Sequence, residues 1–210
     1  MIGQMGSFEY PSASINEPLD CYLHGYVSSR IMNLTRASDG EGLPICVATS
    51  QVDGLILSLT PNSHSYNYRS AVLHGYANLV TDEQEKLWAM ELITNSVLEG
   101  RWDNSRVPPD KAEMSSTVIL KVKVQDGSGK IRDGGVSDER KDTEDANVTG
   151  RIWTGVVPVW QNFGTPVPSG EGKLAEVPEH ITSYIETKNK QNRALAENAV
   201  FVQLPPEEHH

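Results

Sequence analysis

The sequence predicts a mainly β fold, a small antiparallel β-barrel of five or six strands with helices at its periphery. Most of its strand-like stretches are joined by short turns, which suits antiparallel pairing. One clear helix interrupts the series, whereas a parallel α/β sheet would alternate strands with helices. At 210 residues the chain suits one domain with an extension. We assign residues 1–168 to the barrel and 169–210 to a linker, helix and tail.

The first half of the chain contains most of the predicted strands. Residues 1–6 form the end of an extended segment. Apolar or alternating runs predict strands at residues 19–25, 44–51, 55–59 and a further strand that ends at Val80. A helix is expected at 29–36, with Ser28 or Ser29 as its N-cap. The dipeptide Asp53-Gly54 predicts a hairpin turn between the second and third of these strands.

The most informative stretch runs from His64 to Ala77. It begins as a polar turn and continues as a strand in which alternate residues share a face. Small residues such as Gly75 lie on one face, where a backbone or a flat ligand can approach closely. Hydrogen-bond donors and one fixed charge precede them, at His64, Asn67, Tyr68, Arg69 and Ser70. An ordinary turn before a core strand and a ligand-binding edge both fit this pattern.

The second half begins with a helix that starts at a Thr81–Gln84 capping box and ends at Gly100. Pro158 indicates that the last strand lies at an edge of the sheet or contains a bulge. The remaining predicted segments are a helical turn at 108–113, a strand at 117–124, a charged loop at 126–150, a strand at 153–160, a Pro/Gly linker at 164–178, a helix at 179–198 and a loose tail.

Composition excludes several classes of function. The formal net charge of −10, from 18 basic and 28 acidic residues, opposes nonspecific binding to nucleic acid or to anionic membranes. No apolar run could span a bilayer, and residues 1–6 have no signal-peptide features. Cys21 and Cys46 lie in apolar surroundings, so we expect buried free thiols and a cytoplasmic location. The histidines lack carboxylates at ligand spacing, so no metal site is predicted, and no GxSxG nucleophile motif is present.

Two segments could bind an anion. Ser28, Ser29 and Arg30 stand where a strand gives way to a helix, and their donors together with free backbone N–H groups suit one phosphate. The alternative is a plain N-cap beside a solvated arginine. In the segment 129–135, glycines flank Lys130 and Arg132 and would let the backbone approach an anion. The alternative there is a solvated basic turn, since the GK[ST] phosphate-loop pattern is absent.

The order of these motifs resembles one family. The motifs are His24-Gly25-x-x-Ser28-Ser29-Arg30, Cys46-Val47-Ala48-Thr49, Asn67-Tyr68-Arg69-Ser70, Lys130-Ile131-Arg132-Asp133-Gly134-Gly135 and Trp153-Thr154-Gly155. This chain is similar to the pyridoxamine-phosphate-oxidase-like FMN-binding split barrels, in the branch near the nitroimidazole-resistance proteins. The resemblance implies a six-stranded antiparallel split barrel, a homodimer, and FMN at two sites along the dimer interface. The family opens with a helix and a first strand, which we expect to be absent from this sequence.

The resemblance also implies roles for individual residues. Ser28, Ser29 and Arg30 would hold the FMN phosphate, and His24 and Gly25 would lie beside the ribityl chain. The ring would meet the backbone at Thr49 and its neighbours, while Asn67, Tyr68, Arg69 and Ser70 line its polar edge. Contacts from the partner subunit are expected at Lys130, Arg132 and Trp153. His64 lies near the position of a substrate-facing histidine and is the one catalytic candidate.

Three functional hypotheses follow from these observations. The first is an FMN-dependent oxidoreductase that acts on a small molecule. The second is a binding protein without turnover, which holds flavin, or haem through a histidine such as His64. The third is a cofactor-free barrel whose exposed edge pairs with another chain.

Overall fold

The computed structural model describes residues 1–200 except Ile15, Pro18, Asp39, Lys173 and Ala175. Its strands are β1 (Ile2–Gly6), β2 (Asp20–Tyr26), β3 (Leu43–Leu57), β4 (Ser65–Leu79), β5 (Thr117–Arg132) and β6 (Gly155–Pro158). Its helices are α1 (Arg30–Arg36), α2 (Glu83–Val97), α3 (Lys111–Ser116), α4 (Arg140–Thr143), α5 (Ala146–Thr149) and α6 (Glu179–Asn198), with a 3-10 turn at Pro61–Ser63.

The strands form one six-stranded sheet in the order β1-β2-β5-β4-β3-β6. The chain divides into two compact units. The first comprises Met1–Val47 and Val72–Ser128, and the second comprises Ala48–Ala71 and the described residues of Gly129–His210. The domain boundary at residue 168 stays a prediction, and the predicted tail at 201–210 lies outside the described residues. Within the described part of the chain, no helix combines the length and apolar character that crossing a bilayer requires.

In the first unit, β2 pairs antiparallel with both β1 and β5, and both of its faces are buried. Tyr22 packs with Ile119 and with Ala89 and Ile93 of α2. The residues on either side of Tyr22 point the other way and pack with Met32 of α1. Because successive side chains of a strand point to opposite faces, β2 separates two apolar clusters.

Polar contacts attach the start of α2 to this sheet. The helix is capped by Asp82, whose carboxylate accepts from the Glu85 N–H at 2.7 Å. The predicted cap at Thr81 is therefore wrong by one residue, because a carboxylate caps as well as a hydroxyl does. Glu85 also accepts from the Tyr22 hydroxyl at 2.7 Å and from Lys121 at 2.9 Å. Burial and the neighbouring Glu85 carboxylate raise the pKa of Tyr22 above its ordinary value.

In the second unit, β3 passes straight through the predicted hairpin, and that prediction is wrong. Gly54 lies opposite Pro158 on β6, and the Asp53 carbonyl accepts from the Val159 N–H at 3.0 Å. The buried Asp53 side chain forms an ion pair with Arg69. Tertiary partners therefore hold extended a dipeptide that favours a turn when taken locally. The strand also alternates in exposure, so Cys46 is exposed, contrary to expectation, while Cys21 is buried.

Other strand boundaries also differ from the sequence predictions. β4 begins at Ser65, so most of the expected polar turn is strand. β5 continues to Arg132, so the first part of the expected charged loop is strand as well. β6 is four residues long and excludes Trp153, and it is last in the strand order, which confirms the edge position indicated by Pro158. The predicted helix at 179–198 is confirmed.

Candidate functional site

A cavity of about 460 Å³ lies on three neighbouring strands of the second unit. Its walls include Thr49 and Gln51 from β3, Arg69 and Ser70 from β4, and Gly129 and Ile131 from β5. Thr49, Arg69 and Ser70 are among the residues predicted to meet the ring of a cofactor. The structure therefore brings three of the predicted site residues to one cavity, because adjacent strands place them side by side.

Arg69 is held in place by Asp53. Its Nε donates to one carboxylate oxygen at 2.7 Å, and its Nη2 donates to the other at 2.8 Å. Asp53 is almost fully buried, while 42% of the Arg69 side chain remains exposed. The hydrogen bonds that Arg69 donates to Asp53 raise the pKa of Arg69 above its ordinary value. The cavity wall therefore carries a guanidinium whose orientation is fixed before any ligand arrives.

Asn67 is fully buried and its amide is used by the protein itself. Its Nδ2 donates to the carbonyls of Gly134 and Ala199, each at 2.9 Å, and its Oδ1 accepts from Arg132 at 2.8 Å. Ala199, at the C-terminal end of α6, also accepts from the Gly134 N–H at 2.7 Å. Asn67 and Arg132 thus link β4, β5 and the end of α6, and their predicted cofactor contacts stay predictions.

The remaining predicted residues of this unit are more exposed. The Lys130 ammonium lies 5.8 Å from the centre of the Tyr68 ring, a cation–π distance. The Ser70 hydroxyl donates to the Lys130 carbonyl at 3.4 Å. Trp153 is 66% exposed, and its ring covers Gly155 at the start of β6. These side chains offer a cation and aromatic surface that a ligand or a second protein copy could cover.

In the first unit, Ser28, Ser29 and Arg30 lie between β2 and α1, as predicted. Ser29 occupies the N-cap position, but its side chain makes no capping hydrogen bond. Its Oγ is buried and has no hydrogen-bond partner among the described residues. The exposed Arg30 guanidinium likewise makes no hydrogen bond or ion pair within the part of the chain that the structure describes. This segment therefore holds polar groups that the protein leaves unsatisfied.

His24 and Gly25 lie on opposite faces of β2. A side chain at Gly25 would come within 2.5 Å of the Met32 Cε atom and 3.8 Å of the Ser29 Oγ. Glycine therefore lets the strand lie close to the segment that begins α1. His24 shares the face of Tyr22 and lines a different cavity beneath α2. Both residues stay predicted neighbours of a ribityl chain, although their side-chain positions lie on opposite faces of the strand.

His64 follows the 3-10 turn and lines a depression of about 220 Å³ with Leu55, Leu57 and Tyr66. Its Nδ1 is 2.9 Å from the Thr60 carbonyl. A carbonyl only accepts, so Nδ1 carries the proton and a neutral ring keeps the Nε2 lone pair free. That is the arrangement of metal-ligating histidines. Among the described residues, no group of three or more His, Cys, Asp or Glu side chains could hold a metal ion.

Asp53 and Ile131 are parts of the site that were not predicted. Asp53 was assigned to a turn, although an acidic residue between apolar strand residues signals a buried ion pair. Ile131 is 71% exposed in the cavity wall, and only its basic neighbours were predicted to bind a ligand.

Comparisons with known proteins agree with this architecture. The structure of the FAD and haem binding protein from Mycobacterium smegmatis gives a TM-score of 0.68 at 21% identity, covering 79% of this chain and 77% of that chain. The structure of the flavocytochrome Anf3 from Azotobacter vinelandii gives a TM-score of 0.67 at 24% identity, covering 87% of this chain and 84% of that chain. A structure assigned to 5-nitroimidazole antibiotic resistance in Bacteroides thetaiotaomicron gives a TM-score of 0.41 at 18% identity, covering 52% of this chain and 60% of that chain.

No curated protein matches this sequence. The family model described as Pyridoxamine 5'-phosphate oxidase matches residues 15–131. The six-stranded sheet and the first two structures confirm the predicted mainly β, antiparallel split-barrel fold. Because the family model covers more than half of the sequence, this chain belongs to the pyridoxamine 5'-phosphate oxidase family.

Proposed function

We propose that this protein binds FMN and is an FMN-dependent oxidoreductase that acts on a small molecule. The observation that carries the proposal is the cavity of the second unit, where Thr49, Arg69 and Ser70 meet. Family membership and the likeness to a FAD and haem binding protein and to a flavocytochrome support a flavin as its occupant.

The cavity fits the ring of a flavin in size and chemistry. Its volume of about 460 Å³ lies within the range of about 300–1,000 Å³ that is usual for small-molecule sites. Thr49 and Ser70 offer hydroxyls, and Gly129 lets the backbone of β5 approach a flat surface. Arg69 presents a positive charge that Asp53 prevents from turning away. A polar ring edge that gains negative charge on reduction is stabilised by such a fixed cation.

The first unit offers a separate match to the phosphate of FMN. The Ser29 hydroxyl is buried without a partner, and Arg30 has no acidic partner among the described residues. Leaving a buried donor unsatisfied costs about 1–3 kcal/mol, which a ligand that accepts its hydrogen bond would recover. We propose that Ser28, Ser29 and Arg30 bind the phosphate, as the family resemblance implies.

Bound FMN would supply the electron or hydride transfer chemistry. The residues of this chain would bind FMN, orient it and place a positive charge beside its ring. Arg69 holds a positive charge, and Tyr68 and Trp153 offer aromatic surface. His64 is the candidate for a substrate-facing group, because its protonated Nδ1 bonds to Thr60 and leaves Nε2 free to accept a proton.

We propose that the active form is a homodimer. Ile131 in the cavity wall is 71% exposed, which is unusual for a large apolar side chain at a binding site, and Trp153 is 66% exposed. A second copy that covers these residues would exclude water from the bound ring.

The test is titration of the purified full-length protein with FMN, followed by visible absorption, with the mass in solution measured in parallel. We expect a saturable flavin spectrum at one FMN per chain, bleaching by a nicotinamide reductant, and the mass of a dimer. Arg69→Gln should weaken FMN and riboflavin equally, because both ligands carry the same ring. Failure to bind FMN, or binding without any reduction by nicotinamide or dithionite, would refute the flavoenzyme proposal.

A second candidate function is haem binding without turnover, and the geometry of His64 favours it. The Thr60 carbonyl fixes the ring so that Nε2 faces away with a free lone pair, as in an axial iron ligand. The depression beside it, about 220 Å³, could cover only part of a haem.

Titration with hemin tests this candidate. A Soret band that saturates at one haem per chain in the wild type and is lost in His64→Ala supports it. His74→Ala is the control. His74 lies on β4 and is exposed, as His64 is, but its ring makes no hydrogen bond among the described residues. Equal Soret bands in both variants would exclude His64 as the ligand.

A further inference from the structure

The first unit contains a second cavity, of about 300 Å³, that the flavin proposal does not use. Its walls are largely apolar, with Met90, Ile93 and Val97 from α2 and Ile2 and Ile119 from the sheet. Ile93 and Ile119 are also members of the buried cluster around Tyr22. The cavity is therefore a gap in an otherwise packed interface, with walls set by the core itself.

The mouth of the cavity carries polar groups, and Arg101 is the charged one among them. Its guanidinium makes no hydrogen bond or ion pair within the described part of the chain, although acidic residues outnumber basic residues by 28 to 18. His24 and Thr94 stand at the same mouth, and their side chains also lack hydrogen bonds among those residues. A cation beside an apolar cavity, with no carboxylate in ion-pair contact among the described residues, is suited to a ligand that brings its own anion.

The backbone around Arg101 is fixed on both sides. The Arg101 N–H donates to the Leu98 carbonyl at 3.0 Å, and the Ser105 hydroxyl donates to the Arg101 carbonyl at 2.7 Å. The next residue, Trp102, donates its N–H to the Asn95 side chain at 2.9 Å. The loop after α2 therefore presents Arg101 from a defined position.

We propose that this cavity binds a small amphipathic carboxylate, with its apolar chain against α2 and its carboxylate on Arg101. The volume, at the lower end of the usual range, suits an acid about the size of octanoate. The planar guanidinium matches a carboxylate with two parallel hydrogen bonds. One guanidinium matches the single negative charge of a carboxylate, and the apolar walls match its chain.

The experiment is calorimetric titration of the full-length protein with octanoate, and with 1-octanol as the uncharged analogue. We expect saturable binding of octanoate at one molecule per chain and at least about ten-fold weaker binding of octanol, since one charged hydrogen bond accounts for a factor of that order. Arg101→Gln should weaken octanoate by about ten-fold or more and leave octanol unchanged.

Two further variants locate the site. Lys123→Gln removes the same charge from an exposed position on β5 that does not line the cavity, and should leave octanoate binding within about two-fold. Val97→Trp fills the mouth from the end of α2 and should abolish binding of both ligands. Riboflavin titration of each variant checks that the variant still folds, because the ring is proposed to bind in the cavity of the second unit.

Three results would overturn the proposal. The first is the absence of saturable octanoate binding to the wild type. The second is equal weakening by Arg101→Gln and Lys123→Gln, which would indicate only a general charge effect. The third is full binding by a folded Val97→Trp protein, which would place the octanoate elsewhere. Each of these results would overturn the proposed carboxylate site whether or not the protein binds riboflavin or FMN.

Discussion

The predicted cofactor residues of the two units differ in how the protein pairs their polar atoms. In the second unit, Asn67, Arg69 and Arg132 are all hydrogen-bonded to protein groups. In the first unit, the Ser29 hydroxyl and the Arg30 guanidinium have no partner among the described residues. Both groups came from the same kind of sequence motif, a cluster of small polar residues and an arginine at a strand end.

The difference separates two ways of building a site. A polar group that the protein already satisfies stabilises the fold whether or not a ligand is bound, and removing it leaves buried partners unpaired. A group that the protein leaves unsatisfied adds little to the free energy of unfolding and can gain only from a ligand. Substitutions in the second unit should therefore lower stability, and substitutions in the first should lower phosphate affinity.

The largest effect is expected for Asn67→Ala. The change leaves the Gly134 carbonyl and an Arg132 N–H unpaired in a buried position, and removes one of the two hydrogen bonds to Ala199. We expect the free energy of unfolding to fall by about 2–3 kcal/mol in urea denaturation. Asn62→Ala, at an exposed residue of the 3-10 turn, is the control and should change it by less than about 0.5 kcal/mol.

Next in size is the coupling between Asp53 and Arg69. A double-mutant cycle of Asp53→Asn and Arg69→Gln, measured by urea denaturation, should give an interaction energy of about 1–2 kcal/mol. This interaction energy lies toward the lower end of the range for charged hydrogen bonds, because Arg69 is partly exposed to solvent. Additive effects of the two substitutions would show that the ion pair does not stabilise the second unit.

Arg30→Ala should affect a ligand rather than the fold. We expect FMN binding to weaken by about ten-fold or more, because a charged hydrogen bond to the phosphate is lost, while riboflavin binding stays within about two-fold. Fluorescence quenching of each flavin measures both. Equal losses for the two ligands would remove the phosphate role and the contrast between the units.

The smallest effect on stability is expected for Ser29→Ala. Since the hydroxyl is buried without a partner and makes no capping bond, its removal should leave the free energy of unfolding unchanged or raise it by up to about 1 kcal/mol. Asp82→Ala is the matched control at a cap that does form, and should lose about 1 kcal/mol. A loss at Ser29 as large as at Asp82 would show that Ser29 stabilises α1 after all.

Errors in the sequence analysis fall where a distant partner overrides a local signal. Asp53-Gly54 is a strong turn signal, yet Arg69 and β6 keep it within a strand. The polar run after Val124 reads as a loop, yet it continues β5 because a strand can be solvated along its length. The family resemblance implies that Asn67 lines a ligand, whereas no local pattern indicates its bonds to Gly134 and Ala199, which lie far along the chain.

By itself the sequence determined the mainly β class, the apolar strand β2, and the helices α2 and α6. Those features depend on periodicity and capping within a few consecutive residues, which a sequence displays directly. Only the tertiary structure decided which polar groups are paired. The carboxylate that Arg69 finds and the partner that Ser29 lacks depend on residues brought together by folding, and no local pattern records such pairs.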